Sequence, residues 1–517
     1  MKFPVGIQQF VELRSDDWVY VDKTSHIHRL ISEGKYYFLS RPRRFGKSLL
    51  LSTIEAYFQG RKELFEGLAI MEMETEWKDY PVLHFDLNAK PFGKLQDLFD
   101  LLNDQLTVYE QQYGSVAVDT SPEGRLRQLI RTAKRKTGKG VVVLIDEYDK
   151  PLLQSIGNEP LQTEFRNALK SFYGTLKSAD GDIRFAMLTG VTKFSKVSVF
   201  SDLNNLEDIS MVPQYYDICG ISEEELHHYF DGEIEQLAVD NEQTKDEAYG
   251  MLRRRYDGYH FCANVPGMYN PFSVLLALKN RNYGSYWFST GTPTYLVEQL
   301  KDLNLNPKEL SGYEATIATL DNIHWRVDNP IPVLYQSGYL TIKDYDRSLR
   351  LYTLDFPNEE VEEGFVNFLL PFYTPIPETE SPAFIVKFVR EVRAGKVDEF
   401  MLRLKALMAD TPYEIIKDLE NHYQNVMFIF TKLMGLYTKT EYRTSYGRID
   451  LLITTDKYVY VIELKLDSTA EEALAQINSK EYSLPFEMDG RELVKIGANI
   501  SRKTRNLERW VVERLVQ

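Results

Sequence analysis

Three stretches of this chain carry residue types that handle phosphate. The first is Tyr36-Tyr37-Phe38-Leu39-Ser40-Arg41-Pro42-Arg43-Arg44-Phe45-Gly46-Lys47-Ser48. An aromatic, strand-like run breaks at Ser40–Pro42. The chain then turns through Gly46-Lys47-Ser48 into a helical pattern with Leu51, Ile54 and Phe58 on one side. Strand, tight turn, Gly-Lys-Ser and helix is the layout of a phosphate-binding P-loop. The helix N-terminus offers unpaired N–H groups and partial positive charge. Arg44, Gly46, Lys47 and Ser48 are the expected nucleotide contacts, with Lys47 on the outer phosphates and the Ser48 hydroxyl on Mg²⁺. Arg41 stands where the general spacing has its first glycine, so the loop must start differently.

The second stretch, Val141-Val142-Val143-Leu144-Ile145-Asp146-Glu147-Tyr148-Asp149, reads as a strand buried on both faces and ending in acids. Acids there sit where open α/β sheets bind ligands. Asp146 is expected to hold Mg²⁺ through water, and Glu147 to orient or deprotonate the attacking water. The strand Ile183–Leu188 ends in Thr189-Gly190-Val191-Thr192-Lys193. Thr189 is either a sensor of the γ-phosphate or a simple strand-end cap, and Lys193 is a weaker sensor candidate.

The third stretch is C-terminal. Asp450 lies in the strand pattern Gly447–Ile453, and Glu463 and Lys465 lie in the strand pattern Tyr458–Lys465. The period-two rule puts Glu463 and Lys465 on one face, and a turn at Thr454–Lys457 brings Asp450 beside them. Two carboxylates and a lysine suit metal-dependent phosphodiester cleavage. The acids would bind Mg²⁺ and the lysine would steady the attacking water or the developing charge. A helix over Ala470–Tyr482 brings Gln476 towards the sheet. Glu420, in a helix over Tyr413–Leu436, adds a further candidate acid. A charged ladder on an exposed hairpin is the competing reading.

The elements that position these groups follow from the pattern. Strand and helix alternate over 1–215, as a P-loop α/β domain with a parallel sheet flanked by helices requires. Helices are expected at Ser25–Glu33, capped by Thr24 or Ser25, and at Leu95–Tyr113, Glu123–Lys136 and Leu161–Leu176. Residues 216–355 read as helical with a winged-helix-like unit at Leu334–Ile342. Residues 356–411 read as a helical linker broken by Pro371–Pro382, and 412–517 as an α/β domain. The aromatic turn Tyr256-Asp257-Gly258-Tyr259-His260-Phe261 reads as structural.

Composition sets limits. No apolar run is long enough to span a bilayer. Two cysteines, Cys219 and Cys262, cannot make a disulfide framework, which suits a cytoplasmic location. The net charge of −15 does not advertise nucleic-acid binding, although local basic patches leave it open. Oligomeric state is also open: an arginine supplied in trans would require a homo-oligomer, and no single arginine stands out for it.

Two groups of motifs together resemble a bacterial family. Residues 3–215, with F-P-x-G, Y-V-D-K-T, R-P-R-R-F-G-K-S and I-D-E-Y-D, resemble the AAA-ATPase-like domain. Residues near 415–513, with G-R-x-D, E-x-K and Q-I-x-x-K-x-Y, resemble the associated PD-(D/E)XK nuclease domain, a restriction-endonuclease-like fold. The resemblance implies Mg²⁺-dependent nuclease chemistry coupled to a nucleotide-binding domain, and a role in conflict with mobile elements or phage, but no known substrate. The leading reading is an enzyme using ATP and Mg²⁺ that cuts nucleic acid, DNA first, with ATP binding or hydrolysis gating access. Carried over by position, it implies Asp450, Glu463 and Lys465 as nuclease residues, with Glu420 and Gln476 beside them. The alternative is a nucleotide-dependent regulatory or scaffold protein whose nuclease fold only binds nucleic acid.

Overall fold

The computed structural model describes residues 1–515 except 117, 194–202, 204, 289–309, 322–328, 375, 377–379, 410–418, 436–438, 446–447, 481–485 and 487–489. Side chains of 381–382, 409, 419–424, 439–445 and 448–450 are also outside the description. The chain divides into two compact units, one built from Met1–Asn304 with Gly312–Val361, the other mainly from Glu362–Gln517.

The first unit is organised on a five-stranded parallel sheet: β1 (Tyr36–Ser40), β2 (Val82–Asp86), β3 (Val141–Asp146), β4 (Ile183–Gly190) and β5 (Glu207–Asp208), in the order β2-β3-β4-β1-β5. Every residue of β1 and β3 is buried, as their unbroken apolar runs require of a sheet covered on both faces. Helices Lys47–Phe58, Leu95–Tyr113, Pro122–Thr137 and Glu159–Ser178 flank it. The order puts β4 between β1 and β3, so the end of β1 that leads to Lys47 lies beside the strand ends bearing Thr189 and Asp146.

The helix at Thr24–Glu33 forms as its pattern predicts, but neither Thr24 nor Ser25 caps it. Lys23 is the N-cap residue, and Asp22 Oδ1 accepts from the Thr24 amide and hydroxyl. A carboxylate two residues upstream takes over what a hydroxyl would do. The rest of the Y-V-D-K-T segment is also structural: Lys23 is buried and pairs with Glu225 at 2.5 Å. Glu225 itself closes a capping box with Ser222. Phe3, Val5, Val19 and Val21 pack on the core of helices Glu223–Asp240 and Lys245–Tyr256. A three-stranded antiparallel sheet comprises β6 (Tyr313–Ala315), β7 (Thr341–Asp346) and β8 (Leu351–Asp355), with helices Ile317–Asp321 and Ile331–Ser337 between β6 and β7. Gly338, in the left-handed region at φ 90°, ends the second of these helices.

The helical stretch is interrupted within Pro371–Pro382 as expected: one helix runs from Glu359 to Tyr373 and the next begins at Ser381. Pro371 lies two residues before the end of the first, where a proline forfeits little of the ladder.

The second unit holds a mixed sheet ordered β13-β12-β11-β10-β9, with β9 (Lys439–Ser445), β10 (Arg448–Thr454), β11 (Tyr458–Leu466), β12 (Glu492–Ser501) and β13 (Asn506–Leu515). All pairs are antiparallel except β11 with β12. Helix Ala470–Ser479 packs on it through Ala473, Leu474 and Ile477 against Val459, Val461 and Leu493. Gly497 makes the approach possible: a Cβ there would lie 2.3 Å from both Ala470 O and Leu474 N.

Candidate functional site

In the first unit, the P-loop helix begins at Lys47 with Gly46 as its N-cap, and no side chain caps it. Gly46 sits at φ 90° and Arg44 at φ 68°, so the left-handed turn falls on these two residues. Arg41 is not part of it. Its amide donates to Gly190 O, which extends the β1–β4 ladder by one residue. A left-handed arginine at 44 carries a cost that glycine avoids, and such strain gathers at ligand-binding loops.

The loop opens onto a cavity of about 880 Å³. Its polar end is lined by Arg43, Arg44, Gly46, Lys47, Ser48, Glu147 and Asp149. Its apolar lining includes Pro4, Val5, Ile7, Pro271, Phe272 and Leu275. The N-terminal segment therefore closes one wall of the phosphate-loop cavity, and the Arg44 guanidinium lies 4.8 Å over the Phe272 ring. Lys47 Nζ donates to the carbonyls of Arg41 (2.9 Å) and Pro42 (3.0 Å), inside the loop's own curve. An uncapped helix end, a lysine and a serine hydroxyl around one concavity fit a polyphosphate.

The acids divide by role. Glu147 lines the cavity in a left-handed backbone conformation, φ 50°. Burial raises its carboxyl from 4.5 to about 7, against the pull of Lys47 and with added repulsion from Asp146 and Asp149. A half-buried carboxyl raised toward neutrality is suited to general-base work. Asp146 is buried behind the cavity wall, where its Oδ1 accepts from the Thr189 hydroxyl at 2.6 Å and the Glu147 amide at 3.0 Å. Thr189 is fully buried and outside the cavity lining, so its hydroxyl serves Asp146.

Asp149 was given no role from sequence. It lines the cavity and accepts from the Val191 amide, the Thr192 amide and the Thr192 hydroxyl, fixing the turn after β4. The I-D-E-Y-D run was the available signal. Lys193 points elsewhere: it pairs with Asp208 at 3.0 Å and Asp321 at 3.2 Å. Cys219 and Cys262 are both buried free thiols.

In the second unit, Asp450 on β10 is the direct cross-strand partner of Glu463 on β11, and Glu463 pairs in turn with Gly497 on β12. Glu463 is 1% exposed, and its Oε1 accepts from Gln476 Nε2 at 2.6 Å. Lys465 lies two residues along the strand and is half-buried. Lys495, which sequence reasoning missed, is buried on β12, bonded to Asn478 and 3.3 Å from Glu513. The side chains of Asp450 and Glu420 and the position of Gly447 lie outside the described residues. Among the described residues, no three His, Cys, Asp or Glu side chains converge as a metal-binding group. Among them, too, no helix is long and apolar enough to cross a membrane.

Two sequence families match these two regions. Residues 4–200 match the family described as "Predicted AAA-ATPase", and residues 418–510 match the "PD-(D/E)XK nuclease superfamily". The chain is also 35% identical, over 533 aligned residues covering 99% of each sequence, to a protein of Azotobacter chroococcum mcd 1. That relative is described as "Uncharacterized protein in vnfD 5'region". The chain belongs to the family that joins an AAA-ATPase-like domain to a C-terminal PD-(D/E)XK nuclease domain.

Proposed function

We propose that this protein binds and hydrolyses ATP in the first unit and cleaves nucleic-acid phosphodiesters, DNA first, with Mg²⁺ in the second. The observation that carries the reading is the cavity whose wall brings together the uncapped helix N-terminus, Lys47, Ser48 and the Glu147 carboxyl. Lys47 and the helix N-terminus bind the phosphates. Glu147 takes the proton of the water that attacks the γ-phosphorus, as the bond from that phosphorus to the bridging oxygen breaks and ADP leaves. Ser48 would hold the Mg²⁺ of the nucleotide and Asp146, behind the wall, would do so through water, with Thr189 fixing Asp146.

In the second unit, Asp450 and Glu463 would hold a metal ion. Opposite positions in an antiparallel ladder send their side chains to one face, which supports this pairing. The bound ion supplies charge stabilisation at the phosphate and a more acidic attacking water. Gln476 orients Glu463 from the helix above, as partners of metal-binding carboxylates do. Lys465 steadies charge developing on the cleaved phosphate. A cytoplasmic setting and a role in conflict with mobile elements or phage complete the proposal, resting on the family resemblance.

The test is phosphate release from ATP and nicking of plasmid DNA by the full chain in Mg²⁺. Lys47→Ala should abolish the first activity and Glu463→Gln the second. Retention of both activities in both variants would contradict the assignment.

A further inference from the structure

The P-loop begins with an arginine where a glycine belongs, and each of the five residues Arg41 to Phe45 is held by a residue far along the chain. Arg41 is 1% exposed. Its Nη1 donates to Ser210 O at 2.8 Å, its Nη2 to Tyr215 O at 3.0 Å, and its guanidinium lies 4.0 Å from the Phe261 ring centre. Pro42 packs on Gly338, where an added Cβ would come within 2.7 Å of the proline ring. Arg43 O accepts from Trp287 Nε1 at 3.2 Å. Arg44 stacks on Phe272. Phe45 is edge-on to both Tyr259, at 4.8 Å, and Phe261, at 5.3 Å, and its carbonyl accepts from the Gly220 amide.

Phe261 thus touches both ends of the loop's first half, Arg41 and Phe45. Its own turn is anchored in place. The His260 amide donates to Thr341 Oγ1 at 2.7 Å, and Gly258, at φ 93°, lies where any Cβ would strike Pro357 O. A glycine-rich P-loop takes its shape from local backbone freedom. Here a buried, desolvated cation–aromatic contact and two carbonyl bonds hold the strand exit in the extended form, and the turn is deferred to Arg44 and Gly46.

We propose that the Tyr259–Phe261 turn is a positioning clamp for the phosphate loop, with the Arg41–Phe261 contact as its centre. It takes the place of the missing glycine and makes nucleotide affinity depend on residues outside the loop. This rests on the reading of the cavity as a nucleotide site. Phe261 and Arg41 touch no nucleotide in this scheme and act through Lys47, whose ammonium bonds to the carbonyls of Arg41 and Pro42.

The test measures binding of a fluorescent ATP analogue with Mg²⁺ to the full chain, beside the thermal midpoint without nucleotide. Arg41→Met and Phe261→Leu should each weaken binding about tenfold. The double variant should lose clearly less than the product of the two single losses, because both changes break the shared Arg41–Phe261 contact. Phe261→Tyr, which keeps the ring, should recover most of the affinity. Losses that multiply to about a hundredfold in the double variant would overturn the clamp as a unit. So would Arg41→Met binding like the unchanged chain, an outcome readable even if Phe261→Leu does not fold. Lys47→Ala separates the two ideas. If it weakens binding while Arg41→Met does not, the clamp alone is wrong; if the unchanged chain binds no analogue, the nucleotide reading fails and the clamp fails with it.

Discussion

The Thr189 hydroxyl donates to Asp146 Oδ1 at 2.6 Å, between two side chains that are both buried. The bond joins the ends of β4 and β3, adjacent strands in the sheet. It holds the acid at the strand end in one orientation while the next residue, Glu147, turns into the cavity.

Thr189→Val keeps the shape of the side chain and removes the donor. Asp146 Oδ1 would then keep only the Glu147 amide, and losing a buried donor costs about 1–3 kcal/mol. ATP turnover should therefore fall about tenfold or more, with little change in nucleotide affinity, because Asp146 stays present but loses its aim. Steady-state kinetics check this. A variant with unchanged kcat and a raised KM would mean that Thr189 serves binding instead.

The pH dependence should report Glu147. Its carboxyl is raised to about 7 chiefly by burial. A base must be ionised, so turnover should drop about tenfold per pH unit below about 7 and level off above it. The sign for stability is opposite to that of a paired acid. The folded carboxyl holds its proton more tightly than the unfolded one, so its contribution is complete below 4.5 and is lost as pH rises through about 7. Glu147→Gln should be slow, flat with pH, and more stable than the unchanged chain at pH 8. A turnover profile with no break between about pH 6 and 8 would remove Glu147 as the base.

Gly497→Ala should disable the second unit from beneath. Its new methyl would meet Ala470 O and Leu474 N at 2.3 Å, and both are backbone atoms that cannot swing aside. Helix Ala470–Ser479 must lift, which takes Gln476 from Glu463. The expected results are loss of nuclease activity with ATP turnover retained, and a loss of about 2–4 kcal/mol in the stability of the second unit. Full nuclease activity in this variant would show that Gln476 is dispensable.

Much of the framework was legible because it follows from local periodicity. The β-branched run Val141–Asp146 and the helix Leu95–Tyr113 both form where the pattern puts them. The pairing of Asp450 with Glu463 also followed, because a short turn between alternating strands fixes the register. What stayed hidden depends on distant partners. Arg41 shows that its position is not a turn, but its supports lie at Ser210, Tyr215 and Phe261, beyond the reach of any spacing rule. Thr189 could be placed at a strand end, while the side chain it faces is set by the strand order. Asp149 was in plain view, yet its three donors come from a turn that becomes its neighbour only in the folded sheet.

The most direct measurement is cleavage of linear and circular DNA by the full chain in Mg²⁺, with and without ATP, beside Lys47→Ala and Asp450→Ala. An ATP-gated nuclease predicts that Asp450→Ala loses cleavage in every condition, that chelating the metal does the same to the unchanged chain, and that Lys47→Ala loses only the response to ATP. If the unchanged chain hydrolyses ATP but leaves every DNA intact with Mg²⁺ present, DNA cleavage is contradicted and a nucleotide-dependent binding protein or an RNA substrate takes its place.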